Sequence, residues 1–338
     1  MICLRKTLIV FGCLSLAIAT LVVSIWLQYS DRRPPGTRDQ TDNLNERITR
    51  SDNWSRIIED PVVPESEIFI IDGSTATIPI TAELLRQFYD YNDANVMASH
   101  ITDHSTTHRA YLNLIHKTCR FSSVPTSLIL VTPPSYEETS YAQSLGVELD
   151  LTPIACDGFV FITHKNNPVD SLSIEQIQDI YSGKITNWKQ VGGKNKPIRA
   201  FQREPNSGSQ TAMEQLVMEG KPIIPPLETT IEIIEFMGAL VDVVAEYENG
   251  AASIGYTYNY YINNLYKNDS IKVLKINGIS PDNENLINGS YPFTTNYYAV
   301  IRADEPTDSP ARVLRDFLIT EQGQSVIEMA GYCRAIDS

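Results

Sequence analysis

Positive charge is scarce in this 338-residue chain, where 27 Lys and Arg stand against 41 Asp and Glu for a formal net charge of -14. The sequence pI is near 4.8. Such a balance repels polyanions, so nucleic acid and anionic lipid are excluded as partners. A small anion is not excluded, because a buried site answers to local dipoles and hydrogen bonds more than to net charge. Cysteine is sparse as well. Cys3 and Cys13 fall at the N-terminal end, which leaves Cys119, Cys156 and Cys333 for the rest. An odd number at irregular spacing excludes a disulfide framework, and the lack of a CxxC pair excludes that form of zinc site. Cys119 and Cys156 could pair, but buried thiols are the expected reading. The chain also lacks a GxSxG nucleophile elbow and any internal repeat.

Three segments organise what is present. Arg5 and Lys6 precede an uncharged apolar run of 21 residues, Thr7 to Leu27. At about 1.5 Å per residue it spans roughly 30 Å, the thickness of a bilayer core. A signal peptide cut after Ala17-Ile18-Ala19 would leave apolar residues beyond the cut. A lipoprotein signal at Cys13 would have a very short apolar region, and Phe11 fits it poorly. An uncleaved anchor over residues 1–28, with Arg5 and Lys6 inside the cell, is the expectation, although Arg32 and Arg33 weaken the charge asymmetry. Residues 29–63 are polar and broken, a spacer that cannot bury a core. Residues 64–338 are enough for two domains.

Strand-like and helix-like segments alternate through that region. "EIFIID", "TSLILVT" and "DGFVFITH" read as strands. "GSTATIPITAELLRQFYD" has a helical face at Leu84, Leu85 and Phe88. "SIEQIQDIYSG" opens on a Ser173–Gln176 capping box and closes on Gly183. "TTIEIIEFMGALVDVVAEYENG" is a long amphipathic helix stopped by Asn249-Gly250, and "SPARVLRDFL" has Ser309 as cap and Pro310 at its first position. The class is α/β, with ligands expected at strand carboxyl ends and first turns of helices.

Three helix mouths carry clustered hydroxyls: "DGSTATIP" from Asp72, "HSTTHRAYLNLI" from His104, and "FQREPNSGSQTAMEQLV" from Phe201. Ser and Thr are ordinary N-caps, so each alone says little. Three together, one of them beside Arg203, point to an oxyanion held by amides and hydroxyls. Two sharper readings compete. His100, His104 and His108 at i, i+4, i+8 would align as metal ligands on a helix. However, Ser105, Thr106 and Thr107 lie between them, where a helix starts rather than continues. Ser207 or Ser209 as a nucleophile lacks an assignable base. Neither a metal nor a catalytic residue is therefore assigned, and no cofactor is expected.

The phrases "DGSTATIPI", "DGFVFITHKNNPVDSLSIEQIQDIYSGKITNWKQVGG" and "QREPNSGSQTAMEQLV", with "ASIGYTYNYY", "VLKINGISP", "YPFTTNYYAV" and "EQGQSVIEMAGY", resemble the extracytoplasmic phosphate-binding subunits of ABC importers, from about Asp72 to Tyr332. The resemblance implies a two-lobed type II periplasmic-binding-protein fold that hinges shut over its ligand. Lobe 1 would combine 64–155 with 295–338, and lobe 2 would be 156–294. It also implies a monomeric, non-enzymatic receptor for inorganic phosphate or a similar oxyanion, docking on ABC permease subunits outside the cytoplasmic membrane. Residue by residue, it puts Thr77 and the Ile78 amide on the ligand, with Ser74 and Thr75 nearby. Thr106 or Thr107 would donate a hydroxyl. Arg203 would be the cationic fork, with Ser207, Gly208 and Ser209 supplying hydroxyls and amides. Many phosphate binders carry an aspartate where this chain has Thr132, and that aspartate accepts the proton of bound phosphate and rejects sulfate. A threonine there implies weaker discrimination, unless Asp72 or Asp157 takes over. The sequons at Asn53, Asn268 and Asn288 are read as chance occurrences.

Overall fold

The computed structural model describes residues 55–59, 62–63, 69–89, 100–225, 237–246 and 252–336. The apolar run Thr7–Leu27, nearly all of the spacer, the Asn53 sequon and Asn249-Gly250 lie outside the described residues. Among the described residues no helix is long and apolar enough to cross a membrane.

Strand β1, Ile70–Gly73, runs into a 3-10 turn, Thr75–Thr77, and helix α1, Ile78–Phe88. Pro79 sits in the first turn of α1, where its missing N–H costs no intrahelical bond. Helix α2, Thr107–His116, leads to β2, Thr126–Val131, and α3, Tyr136–Ser144, whose capping box joins Ser135 and Glu138.

Strand β3, Leu149–His164, is the long element of the fold. Its second half is the expected "DGFVFITH" strand. Its first half was not expected, because Pro153 has no N–H to give a ladder. A register shift between Pro153 and Ala155 accommodates the proline and lets pairing resume.

Short β4, Ser171–Leu172, is followed by α4, Ile174–Tyr181, with the expected Ser173–Gln176 box. Gly183 follows at φ 79°, the left-handed geometry that ends the helix. Then come β5, Arg199–Ala200, and α5, Gly208–Ala212, which continues as a π turn over Met213–Val217. Helix α6, Met237–Glu246, falls within the segment expected as a long amphipathic helix. The remaining elements are β6, Ser253–Tyr258, β7, Ile271–Val273, β8, Lys275–Ile276, α7, Asn283–Ile287, and β9, Thr294–Arg302. The chain closes with α8, Pro310–Leu318, capped by Ser309, then α9, Glu321–Met329, and β10, Cys333–Arg334.

The main sheet has the order β1-β2-β9-β3-β6-β5, with β10 and β7 also on β3. β3 serves two neighbourhoods in turn. Leu149 to Gly158 pairs antiparallel with β9, and Phe159 to Thr163 pairs with β6. Between the neighbourhoods lies an aromatic cluster. Phe159 meets Phe161 at 5.8 Å edge-on and Tyr256 at 5.5 Å, and Phe161 meets Phe293 at 6.1 Å. Such pairs contribute about 0.5–1.5 kcal/mol each beyond the area they bury. Cys156 and Cys333 are buried and Cys119 is half-buried, all as free thiols. The register partner of Cys156 is Cys333 rather than Cys119.

Helix α9 packs closely on the end of α8 through Gly323. A Cβ there would lie 2.1 Å from the Phe317 carbonyl oxygen and 2.7 Å from the Leu318 Cα, both backbone atoms that cannot step aside. Gly323→Ala is expected to destabilise the fold by about 1–3 kcal/mol or more in urea titrations. An unchanged midpoint would show that α8 and α9 do not meet this way.

Candidate anion site

The first helix mouth is built at the carboxyl end of β1. The Ser74 amide donates to the Leu130 carbonyl at 3.0 Å, which ties the mouth to β2. The Thr77 hydroxyl lies 2.9 Å from the Ser74 carbonyl and 2.8 Å from that of Leu130. The Ile78 amide donates to the Thr75 carbonyl. Thr77 and Ile78 thus spend these groups on shaping the turn. Ser74 differs: its hydroxyl is buried and makes no hydrogen bond. Thr75, beside it, is half-buried.

Asp72 joins the first mouth to the second. Its buried carboxylate accepts from the Ser105 amide at 2.9 Å, the Ser105 hydroxyl at 2.7 Å, Asn113 Nδ2 at 2.8 Å and the Gly73 amide at 2.6 Å. The Thr106 amide then donates to the Gly73 carbonyl at 3.3 Å. Thr106 takes φ 99°, a strained value for a β-branched residue, and α2 starts immediately after it.

At the third mouth Ser207 is the N-cap of α5, accepting from the Gln210 amide at 3.2 Å. Gly208 comes next, and it is where the third mouth meets the second. A Cβ on Gly208 would fall 2.4 Å from the Thr132 hydroxyl and 2.8 Å from that of Thr107. Only a glycine lets the start of α5 approach the end of β2 and the start of α2 so closely. The Gly208 and Ser209 amides, first in their helix, have no intrahelical carbonyl to bond. Ser209 and Thr132 are both buried, and neither hydroxyl has a partner of hydrogen-bonding geometry, although the Tyr258 phenol lies close enough to Thr132 to feel it.

Arg203 is buried beside this point. Its amide donates to the Tyr256 hydroxyl at 3.0 Å and to Gln210 Oε1 at 3.2 Å. Burial pulls the guanidinium below its ordinary pKa, while Tyr256, Glu204, Tyr261 and Tyr258 push the other way. A guanidinium stays charged under such pressure, so the site contains a desolvated cation.

The structure therefore gathers Thr107, Thr132 and Gly208, with Ser209 adjoining Gly208 and Ser74 tied to β2, which ends one residue before Thr132. Ser74, Thr132 and Ser209 come from three distant stretches, and each buries a hydroxyl without a bond. Unbonded buried hydroxyls are costly and uncommon in native folds, so each calls for an explanation. A tetrahedral oxyanion, rich in acceptors, is the complement of such a donor set. Sequence reasoning passed over Tyr256, Tyr258 and Gln210, which support the site. The phenol of Tyr258 donates to the Gly208 carbonyl at 3.2 Å. Their signal was the i, i+2 spacing of the two tyrosines on β6, which puts both on one face.

The histidines separate. His100 is exposed, while His104 is buried with Nδ1 3.0 Å from the Ser74 carbonyl and is held down to about 4 by burial. His108 lies 2.8 Å from Glu138, a bond that raises its pKa. Among the described residues no group of three His, Cys, Asp or Glu side chains is placed to hold a metal ion.

The sequence model of the PBP superfamily domain matches residues 62–319. The chain belongs to the PBP superfamily. Its fold is the two-lobed α/β arrangement of that family. The phosphate-binding protein PstS of Borreliella burgdorferi is 24% identical over 79% of this chain and 89% of its own length. PstS of Staphylococcus saprophyticus is 27% identical over 77% of this chain and 78% of its own length. A crystal structure from Clostridium perfringens, described as a phosphate ABC transporter substrate-binding protein with bound phosphate, is 27% identical with a TM-score of 0.60, over 80% of this chain and all of that one.

Neither carboxylate considered as a substitute at Thr132 is uncommitted in this PBP-superfamily chain. Asp72 is tied up as described, and burial raises its pKa. Asp157 accepts from the amides of Gly158 at 2.7 Å and Tyr260 at 3.1 Å and from the Tyr297 hydroxyl at 3.1 Å. Burial outweighs these bonds and pushes Asp157 up to about 7. Between its ordinary value of 3.8 and about 7, the folded protein holds a proton that the unfolded chain has released. The stability this group contributes is therefore full at low pH and is lost as pH rises through that window. Asp157→Asn should remove that part of the slope, so the gap between wild type and variant in urea midpoints changes from pH 5 to pH 8. A gap independent of pH would mean that Asp157 is ionised throughout.

Proposed function

We propose that this protein is an extracytoplasmic solute receptor that binds inorganic phosphate between two lobes and delivers it to an ABC permease. The observation that carries this reading is the approach of Gly208 to the hydroxyls of Thr132 and Thr107, where Thr132 and the adjoining Ser209 bury hydroxyls that make no bond, with the buried Arg203 on the same segment. Hydroxyls, first-turn amides and a guanidinium together offer a tetrahedral dianion donors on several sides. The relatives named phosphate-binding proteins, and the related structure holding phosphate, favour that anion over others. Under this reading the lobes are 64–155 with 295–338, and 156–294. They meet where β3 and β9 pass between the two parts of the sheet. The run Thr7–Leu27 would anchor the receptor to the cell membrane with its binding domain outside, through the spacer 29–63. The protein would act as a monomer and carry out no chemistry.

Calorimetric titration of the ligand-stripped protein with phosphate, then sulfate, tests the reading. Micromolar or tighter phosphate binding, about -8 kcal/mol or better, is expected. Arg203→Ala should weaken it roughly 10- to 150-fold, the worth of a charge-assisted hydrogen bond of about 1.5–3 kcal/mol. Heat from neither anion would overturn the phosphate assignment, and an unaffected Arg203→Ala would remove that residue from the site.

Closure in this reading has its own contacts. Asn206 Nδ2 donates to Glu137 Oε2 at 2.8 Å, and Gln215 Nε2 donates to the Pro134 carbonyl at 3.1 Å. Both run from the segment proposed as lobe 2 to the segment proposed as lobe 1. Asn206 has φ 62°, so Gly at this position keeps the backbone while removing the amide. Asn206→Gly should release phosphate about 2- to 5-fold faster in stopped-flow displacement, with association little changed. An unaltered release rate would show that this contact does not hold the lobes shut.

A further inference from the structure

The two thiols nearest the junction of the sheet lie outside everything assigned to anion binding. Cys333 on β10 is the direct antiparallel partner of Cys156 on β3. Both side chains are buried. Directly opposed residues of an antiparallel pair hold their Cβ atoms about 4.5–5.5 Å apart. A disulfide asks for about 3.5–4.5 Å, so a closer approach of the short β10 to β3, by up to about 1 Å, brings the Cβ atoms into range and rotation about χ1 brings the sulfurs together.

The place matters as much as the distance. Cys156 is one residue before Asp157, on the strand that serves both parts of the sheet. Cys333 follows Tyr332, whose ring stacks on Tyr260 at 4.0 Å and meets Tyr297 edge-on at 5.6 Å. The Tyr260 hydroxyl donates to the Ala330 carbonyl at 2.7 Å, and its amide donates to Asp157. The C-terminal segment is thus a strap that clasps the turn after β6 against β3 and β9. Its own strand is only two residues long.

We propose that Cys156 and Cys333 form a cross-strand disulfide that fastens this strap to β3. The two thiols lose two protons and two electrons and gain one S–S bond. A disulfide oxidant takes up both and leaves as two thiols, by way of a mixed disulfide with one of the pair. Cys333 is the thiol the oxidant reaches first, because β10 is two residues long, pairs only with β3 and can fray from the sheet edge. The extracytoplasmic placement proposed above supplies the oxidising surroundings, but neither the geometry nor the test depends on phosphate binding.

The test takes the full chain in detergent, fully reduced, and equilibrates it in equal concentrations of reduced and oxidised glutathione. Free thiols are then alkylated under denaturing conditions, and the peptides are mapped without reduction. The expected result is a linked peptide pair containing Cys156 and Cys333, two hydrogens lighter than the separate peptides, with Cys119 alkylated. The Tm should rise by about 5 °C or more over the reduced protein, because the bridge closes a long loop. Cys333→Ser should abolish both the linked peptide and the rise. Should that variant fail to fold, the oxidised and reduced wild type still give the comparison. Alkylation of both Cys156 and Cys333 after equilibration, or a link from either to Cys119, would overturn the proposal.

Discussion

The antiparallel ladder between β3 and β9 is the constraint on which the rest depends. Its register runs from Leu149 opposite Arg302 to Gly158 opposite Thr294, and Asp157 faces Thr295 near its far end. Beyond that end β3 exchanges β9 for β6 and β7, so a single strand holds both parts of the sheet. The aromatic residues Phe159, Phe161, Tyr256 and Phe293 pack together where β3 changes partners.

That framework lets helix mouths from distant stretches address one point. Each mouth is locally ordinary, with a cap residue, a first turn and a few hydroxyls. Their convergence is enforced by contacts that are not ordinary: the four-donor carboxylate of Asp72, the strained Thr106, and the Gly208 approach to Thr107 and Thr132. Strain at Thr106 and the unbonded hydroxyls are energetically unfavourable in isolation. They persist because the surrounding strands and helices over-determine the geometry, which is the usual arrangement where a fold preorganises a ligand site.

A strongly acidic chain and the anion receptor proposed for it are no contradiction. Charges on the surface are screened within about 8–10 Å at physiological salt, whereas Arg203 acts on its neighbours across a desolvated site lined by Tyr256, Tyr258 and Tyr261. Phenols donate hydrogen bonds without adding negative charge at neutral pH, and burial raises the pKa of all three. The phenols thus leave the charge around Arg203 to be set by the guanidinium and its neighbour Glu204.

Much of this was legible in the residues. Period and caps located α1, α4 and α8, and the hydroxyl clusters marked all three mouths, because those signals are local: a cap bonds within its own turn. The first half of β3 was not legible, since Pro153 speaks against a strand until an extra residue, Ile154 in β3 itself, accommodates it. Nor could spacing separate Ser207 and Thr77, whose hydroxyls serve the local turns, from Ser74 and Ser209, whose hydroxyls stay unbonded. The partner of Cys156 was open in the same way, because β10 reaches β3 only through the packing of α8 and α9. By itself the sequence determined the class of fold and set hydroxyl clusters at the starts of three helices. Only the tertiary structure decided which donors meet, because convergence depends on strand register and close approach, and neither is written in any one segment.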